Sequence, residues 1–247
     1  KGYQFTDDET EADVIVINTC CFIGDAKEES VNTILEMAEY RKSGSCKALI
    51  VTGCLAQRYQ KEILDEIEEV DAVLGTASYD AIAETVEKAL GGQKEQHFES
   101  IDRLVPDQGG RVLTTGGHYA YLKIAEGCDK RCTYCIIPKL RGHFRSVPEE
   151  QLLAEAQRLA DQGVKELILV AQETTVYGVD LYGEKRLPQL LTKLARVPGI
   201  RWIRVQYCYP EEITEELIQV IKNEPKVCHY LDLPIQHASD RILKRMG

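Results

Sequence analysis

Tyr119-Ala120-Tyr121-Leu122-Lys123-Ile124-Ala125 runs through Glu126-Gly127 into Cys128-Asp129-Lys130-Arg131-Cys132-Thr133-Tyr134-Cys135. The apolar opening, Tyr119 to Ala125, reads as a strand. The rest sets three cysteines in a C-x3-C-x2-C spacing within eight residues. Three thiolates that close can hold one metal centre without help from distant chain. A structural zinc takes four protein ligands, and no fourth is adjacent, although His143 lies eight residues beyond Cys135. A four-iron cluster held by three cysteines leaves one iron open to a further ligand, and an open iron can carry chemistry. Zinc cysteines usually come as two C-x2-C pairs, so the spacing favours a cluster and leaves zinc as the alternative. Disulfides fit less well. Nine cysteines is an odd number, and nothing resembles a secretory signal peptide.

The 247 residues are 44% hydrophobic, enough for a core and for two domains. No apolar run approaches a membrane span, so no membrane partner is expected. A thiol-rich, acidic chain without a signal segment reads as cytoplasmic, its cysteines binding metal rather than each other. The net charge of −10 is uneven: residues 1–100 carry −12 and residues 101–247 carry +2. Nucleic acid is therefore not expected as a main partner, since phosphate contacts need Lys and Arg. A basic protein partner suits the acidic half, and so does a plain soluble surface. The chain opens on Lys1-Gly2-Tyr3, as though a helix were ending, and stops at Arg245-Met246-Gly247 soon after one begins. It is expected to be truncated at both ends.

Strand and helix alternate over residues 1–98. Val14-Ile15-Val16-Ile17 reads as a buried strand ended by Asn18-Thr19-Cys20, and Ala48-Leu49-Ile50-Val51 as a second ended by Thr52-Gly53-Cys54. A helix over about 25–41 should bury Val31, Ile34, Leu35 and Ala38. Others are expected over 57–69 and 79–90, with a short strand at Ala72-Val73-Leu74 between them. Such alternation predicts a parallel sheet covered on both faces. Cys20 and Cys54 then sit at the carboxyl edge, where ligand crevices form. Either both face one crevice or each is a small buried hydrophobe. Cys21 should point away from Cys20 and pack, as should Cys46, Cys208 and Cys228. Two thiolates are too few for a cubane cluster, so a third ligand would lie upstream of Lys1. Residues 99–118 read as a polar linker, the polar stretch from Gln93 carrying at most one strand.

Residues 119–247 form the second expected domain. Ser146-Val147-Pro148-Glu149 looks like a capping box, with Ser146 as N-cap of a helix ending near Asp161. Strands are expected at Leu167–Val170, Trp202–Val205 and Tyr230–Leu233, with helices over 187–197, about 211–222 and from Ser239. Four strand–helix units are too few for an eight-stranded barrel and suit a partial one. Glu126, Gln172, Glu173, Gln206, Gln236 and His237 should share the edge that carries the cysteine loop. The loop is also basic, with Lys123, Lys130, Arg131, Lys139, Arg141 and Arg145 against Glu126 and Asp129. Arg141 and Arg145 are the two with a functional reading: stabilising an anionic cluster or a carboxylate substrate.

Three pieces together, Asn18-Thr19-Cys20, Gly53-Cys54-Leu55-Ala56-Gln57-Arg58-Tyr59 and Gly127-Cys128 through Arg141-Gly142, resemble the methylthiotransferases of the radical S-adenosylmethionine (SAM) superfamily. The resemblance covers nearly the whole chain. One branch of that family modifies an adenosine of transfer RNA; another modifies an aspartate of a small-subunit ribosomal protein. Ala120 through Cys128, Ala171-Gln172-Glu173-Thr174-Thr175-Val176-Tyr177-Gly178, Tyr207-Cys208-Tyr209-Pro210 and Leu233-Pro234-Ile235-Gln236-His237-Ala238-Ser239-Asp240 match the second pattern. The acidic balance agrees, because ribosomal proteins are basic.

The resemblance implies an α/β protein: a flavodoxin-like, parallel-sheet N-terminal domain with an auxiliary cluster, then a partial (β/α) barrel radical SAM domain. A small β-barrel follows in the family and is expected to fall outside this stretch. It implies two 4Fe-4S clusters and SAM as cofactors, a basic small-subunit ribosomal protein as substrate and a reductant protein as partner. Cys128, Cys132 and Cys135 would be the catalytic ligands of the SAM-binding cluster. Tyr134 would lie along the adenine, and Gln172 and Gln236 would contact SAM. An electron from the cluster would cleave SAM to a deoxyadenosyl radical, which would take hydrogen from the β-carbon of the aspartate. Cys20 and Cys54, with a third cysteine upstream of Lys1, would hold the sulfur-carrying auxiliary cluster. A second SAM would supply the methyl group. This stretch alone would be inactive, its auxiliary site incomplete.

Overall fold

The computed structural model describes residues 2–103 and 111–246. The chain divides into two compact units, Lys1–Pro106 with Cys135–Arg141, and Asp107–Tyr134 with Gly142–Gly247. Part of the expected linker, residues 104–110, lies outside the described residues.

The first unit is built on a four-stranded sheet: β1 (Val14–Thr19), β2 (Ala48–Gly53), β3 (Ala72–Leu74) and β4 (Glu95–His97). The strands are parallel and lie in chain order. Every residue of β2 is buried, as a continuous β-branched and apolar run requires of a central strand. Strand β1 alternates instead, with Ile15, Ile17 and Thr19 inward. Helices α1 (Gly24–Ala38) and α2 (Tyr40–Ser43) follow β1, α3 (Cys54–Tyr59) and α4 (Lys61–Glu66) follow β2, and α5 (Ile82–Leu90) follows β3. The helix expected over 57–69 is thus two pieces, broken where Gln60 takes a φ of 43°. On α1 the core takes Ser30, Ile34 and Ala38, one residue every 400° of turn. Val31 and Leu35, expected to be buried, sit one step round the helix and are exposed.

The second unit has a three-stranded parallel sheet in the order β5 (Tyr119–Lys123), β8 (Glu166–Val170), β9 (Trp202–Val205). Between β5 and β8 come β6 (Ala125–Glu126), α6 (Ile137–Arg141), β7 (Arg145–Ser146) and α7 (Glu149–Asp161). Strand β6 pairs antiparallel with β7, and α6 groups with the first unit. Beyond β8 the chain adds α8 (Val179–Tyr182), α9 (Leu187–Leu194), α10 (Glu215–Asn223) and α11 (Asp240–Met246). Leu187, Leu190, Leu191 and Leu194 of α9 are fully buried against the sheet and α7. Each such leucine contributes about 1.5–3 kcal/mol by leaving water.

Two expectations fail here. Ser146 does not cap α7: Pro148 holds that position, with no side-chain cap bond. Ser146 is instead a strand residue, its hydroxyl committed to Asp180 Oδ1 at 2.6 Å while accepting the Gly178 N–H. Nor do Tyr230–Leu233 form a strand. A single parallel bridge, Ile203 to Val227, extends β9 on this side, and Asp232 spends its carbonyl and carboxylate on Cys208 N and Tyr207 N. Among the described residues no helix is long and apolar enough to cross a membrane.

Candidate iron–sulfur sites

Register brings Cys20 and Cys54 together. Strands β1 and β2 pair to their last residues, Thr19 opposite Gly53, and the two cysteines are the next residues of each strand. Gly53 makes the approach possible. It has a φ of 94°, and a Cβ would overlap the Thr19 carbonyl and meet Asn18 Oδ1. Cys20 is exposed and Cys54 half-buried at the start of α3. Arg141 Nε donates to Cys54 Sγ at 3.3 Å. Cys21 is 2% exposed, donates to the Cys54 carbonyl and packs in the core. Burial pushes its thiol up, as it does those of Cys46, Cys208 and Cys228. A thiol held in the neutral form is a poor ligand. Cys21, Cys46 and Cys208 pack in buried clusters as expected, while Cys228 is half-buried and lies in none of them.

The three-cysteine loop leaves β6 at Gly127, whose φ is 81°. A Cβ there would run into the His143 and Gly142 carbonyls. Gly127 N–H donates to Gln172 Oε1 at 2.8 Å, and Cys128 N–H to the Gly142 carbonyl at 3.1 Å. Gln172 thus supports the start of the loop from the end of β8. At the far side Tyr134 donates its hydroxyl to Gln236 Oε1 at 2.6 Å, and Thr133 binds the carbonyls of Arg245 and Met246 at the end of α11. Gly127→Ala should cost at least about 1–2 kcal/mol from its left-handed backbone alone, with the carbonyl overlap added. A lowered urea midpoint checks this.

Lys130, between the first two cysteines, was not singled out by sequence reasoning. Its ammonium lies 3.0 Å from both Glu211 and Glu212, 3.8 Å from Glu173, and 4.3 Å from the centre of the Tyr209 ring. Glu173 follows β8 and is 1% exposed, with no hydrogen-bond partner for Oε2 among the described residues; burial pushes its pKa up. Lys130 therefore ties the loop to the ends of two strands. Its pairs with Glu211 and Glu212 are reached by water and only that with Glu173 has a buried partner, so Lys130→Met should cost about 1–2 kcal/mol, below the 3–5 of a fully buried pair. Faster proteolysis within 128–135 would register the loosened loop. Cys128 (7% exposed), Lys130, Phe144, Glu173, Lys185 and Glu212 line a cavity of about 460 Å³.

Both cysteine sets suit iron–sulfur clusters by donor chemistry: each supplies thiols, none of them in a disulfide. Among the described residues no three His, Cys, Asp or Glu side chains converge as ligands of one metal ion. A cluster takes one thiolate per iron, so its ligands need not meet at one atom. His143, the nearest alternative ligand in sequence, is exposed and pairs with Asp129 Oδ1 at 2.7 Å.

Residues 122–247 match the radical SAM superfamily and residues 1–75 match an uncharacterised family, UPF0004. The chain belongs to the radical SAM superfamily. It is 69% identical, over all 247 residues, to the ribosomal protein uS12 methylthiotransferase RimO of Lachnoclostridium phytofermentans, covering 56% of that protein. It is 54% identical over 242 residues to the protein of the same name from Clostridium tetani, covering 98% of this chain and 54% of that one. The chain thus spans about half the length of the curated relatives it matches. Among solved structures, the radical SAM methyltransferase TsrM of Kitasatospora setae superposes with a TM-score of 0.60 at 11% identity, over 95% of this chain and 51% of TsrM. The cobalamin-dependent SAM radical enzyme OxsB does so with 0.52 at 15%, over 97% of this chain and 37% of OxsB. At these identities the likeness is one of fold.

Proposed function

We propose that the full-length protein is a radical SAM methylthiotransferase that adds a methylthio group to the β-carbon of an aspartate in the small-subunit ribosomal protein uS12. One observation carries this. A single chain joins a strand-end cysteine pair to a three-cysteine loop, and does so at 69% identity to a protein of that name.

Cys128, Cys132 and Cys135 would hold the SAM-binding cluster, and Cys20 and Cys54 would be ligands of the auxiliary one. The clusters and SAM supply the electron, the radical precursor, the sulfur and the methyl group, chemistry that no side chain provides at an unactivated carbon. The chain's own residues position and shield. Gln172 and Lys130 fix the loop from the strand ends, and Tyr134 and Gln236 form a hydrogen-bonded pair suited to flank a nucleoside. Buried Phe144 and half-buried Val176 give the cavity beside Cys128 an apolar side. The acidic residues 1–100 suit a basic protein substrate and suit nucleic acid poorly. A cytoplasmic location and a separate reductant protein complete the proposal.

The test offers the reconstituted full-length protein, with SAM and reductant, a peptide carrying the uS12 aspartate loop and, separately, transfer RNA. A methylthio mass gain on the peptide alone is expected. A gain confined to an adenosine of the RNA would replace this reading.

A further inference from the structure

We propose that Arg141 is a positioning residue for the auxiliary cluster, holding the Cys54 thiolate by a charge-assisted N–H···S bond and raising the cluster's reduction potential. The proposal rests on reading Cys54 as a cluster ligand.

The geometry is specific. Arg141 ends α6, a five-residue helix inside the segment that groups with the first unit. Its Nε points at Cys54 Sγ, 3.3 Å away. The backbone delivering it is fixed from both sides. Leu140 is 5% exposed in a core shared with Cys21, Leu55 and Ala56, and half-buried Ile136 packs on the same cluster. The Leu140 carbonyl accepts the Thr76 hydroxyl at 2.6 Å, and Thr76 N–H in turn donates to Gln57 Oε1 at 3.0 Å. Gln57 lies on α3, the helix that Cys54 begins. The cysteine and the arginine are thus tied to one scaffold through a route that does not use their own contact.

The chemistry follows from the partners. A guanidinium stays charged at any pH the protein meets. Bonded to a ligand sulfur, it withdraws electron density and favours the more negative, reduced cluster; hydrogen bonds to sulfur are a recognised determinant of cluster potential. It also fixes the sulfur's direction before iron arrives. Losing such an outer partner of a metal ligand typically costs about 10–100-fold in metal affinity.

The experiment uses full-length protein in which Cys128, Cys132 and Cys135 are all alanine, leaving the auxiliary cluster alone. Arg141→Gln and Arg141→Lys are compared with that background for iron release to a ferrous chelator and for midpoint potential. The Gln variant is expected to release iron about 10-fold faster and to show a more negative potential. The Lys variant, keeping charge without the Nε geometry, should fall between. An unchanged potential in Arg141→Gln overturns the proposal, including when iron release rises only in step with a lowered melting temperature. Cys54→Ala in the same background separates the two levels. If it keeps all its iron, the ligand reading fails and takes the Arg141 role with it. If it loses iron while Arg141→Gln behaves as the background, only the Arg141 role falls.

Discussion

Cys132→Ala in the reconstituted full-length protein abolishes SAM cleavage, with 5′-deoxyadenosine falling to the level of a no-enzyme control. The loss is all or none because a three-thiolate cluster has no spare ligand. Among the described residues the candidate substitutes are committed elsewhere. His143 is engaged with Asp129, Cys208 is fully buried with its thiol pushed up, and Asp129 is spent on His143 and the Phe144 N–H. The fold should survive, since Cys132 is half-buried and belongs to none of the buried clusters. Liquid chromatography of the quenched reaction gives the measurement. Retained deoxyadenosine production would remove the loop from the chemistry.

Cys20→Ala lowers iron by about four atoms per chain, one cluster's worth, while Cys21→Ala leaves the count unchanged. Neighbours in sequence, the two differ by the alternation of a strand end. Cys20 is exposed just past the Thr19–Gly53 pair, and Cys21 is 2% exposed under the α3 carbonyl it bonds. A buried thiol pushed toward neutrality gives up nothing as a ligand when it becomes alanine. Iron and sulfide assays on both variants decide it. Iron lost from Cys21→Ala and kept in Cys20→Ala would exchange the assignments.

These residues also show where sequence reading succeeds. The β-branched and apolar runs of β1 and β2 announce a parallel pair, buried throughout in β2 but only at alternate residues in β1, and period-two alternation separates Cys20 from Cys21. Both are local properties, carried by a few adjacent residues. Lys130 and Arg141 show the limit. Each is one of several basic residues around the loop, and its role comes from partners 80 or more positions away: Glu211 and Glu212 for one, Cys54 for the other. Ser146 misled for the opposite reason. A capping pattern was locally correct, but pairing with β6 and the Asp180 carboxylate offered its backbone and hydroxyl better partners. Tyr230–Leu233 has the residue types of a strand, yet Asp232 is drawn into closing the Tyr207–Cys208 turn, where Tyr207 takes a φ of 58°.

The central claim is that one chain carries two four-iron clusters. It is tested most directly by counting iron, acid-labile sulfide and zinc in the full-length wild-type protein after anaerobic reconstitution, with the visible spectrum recorded on the same sample. About eight irons and eight sulfides per chain, with charge-transfer absorption in the visible, is the predicted result. About four irons, or bound zinc in a colourless protein without sulfide, would contradict it.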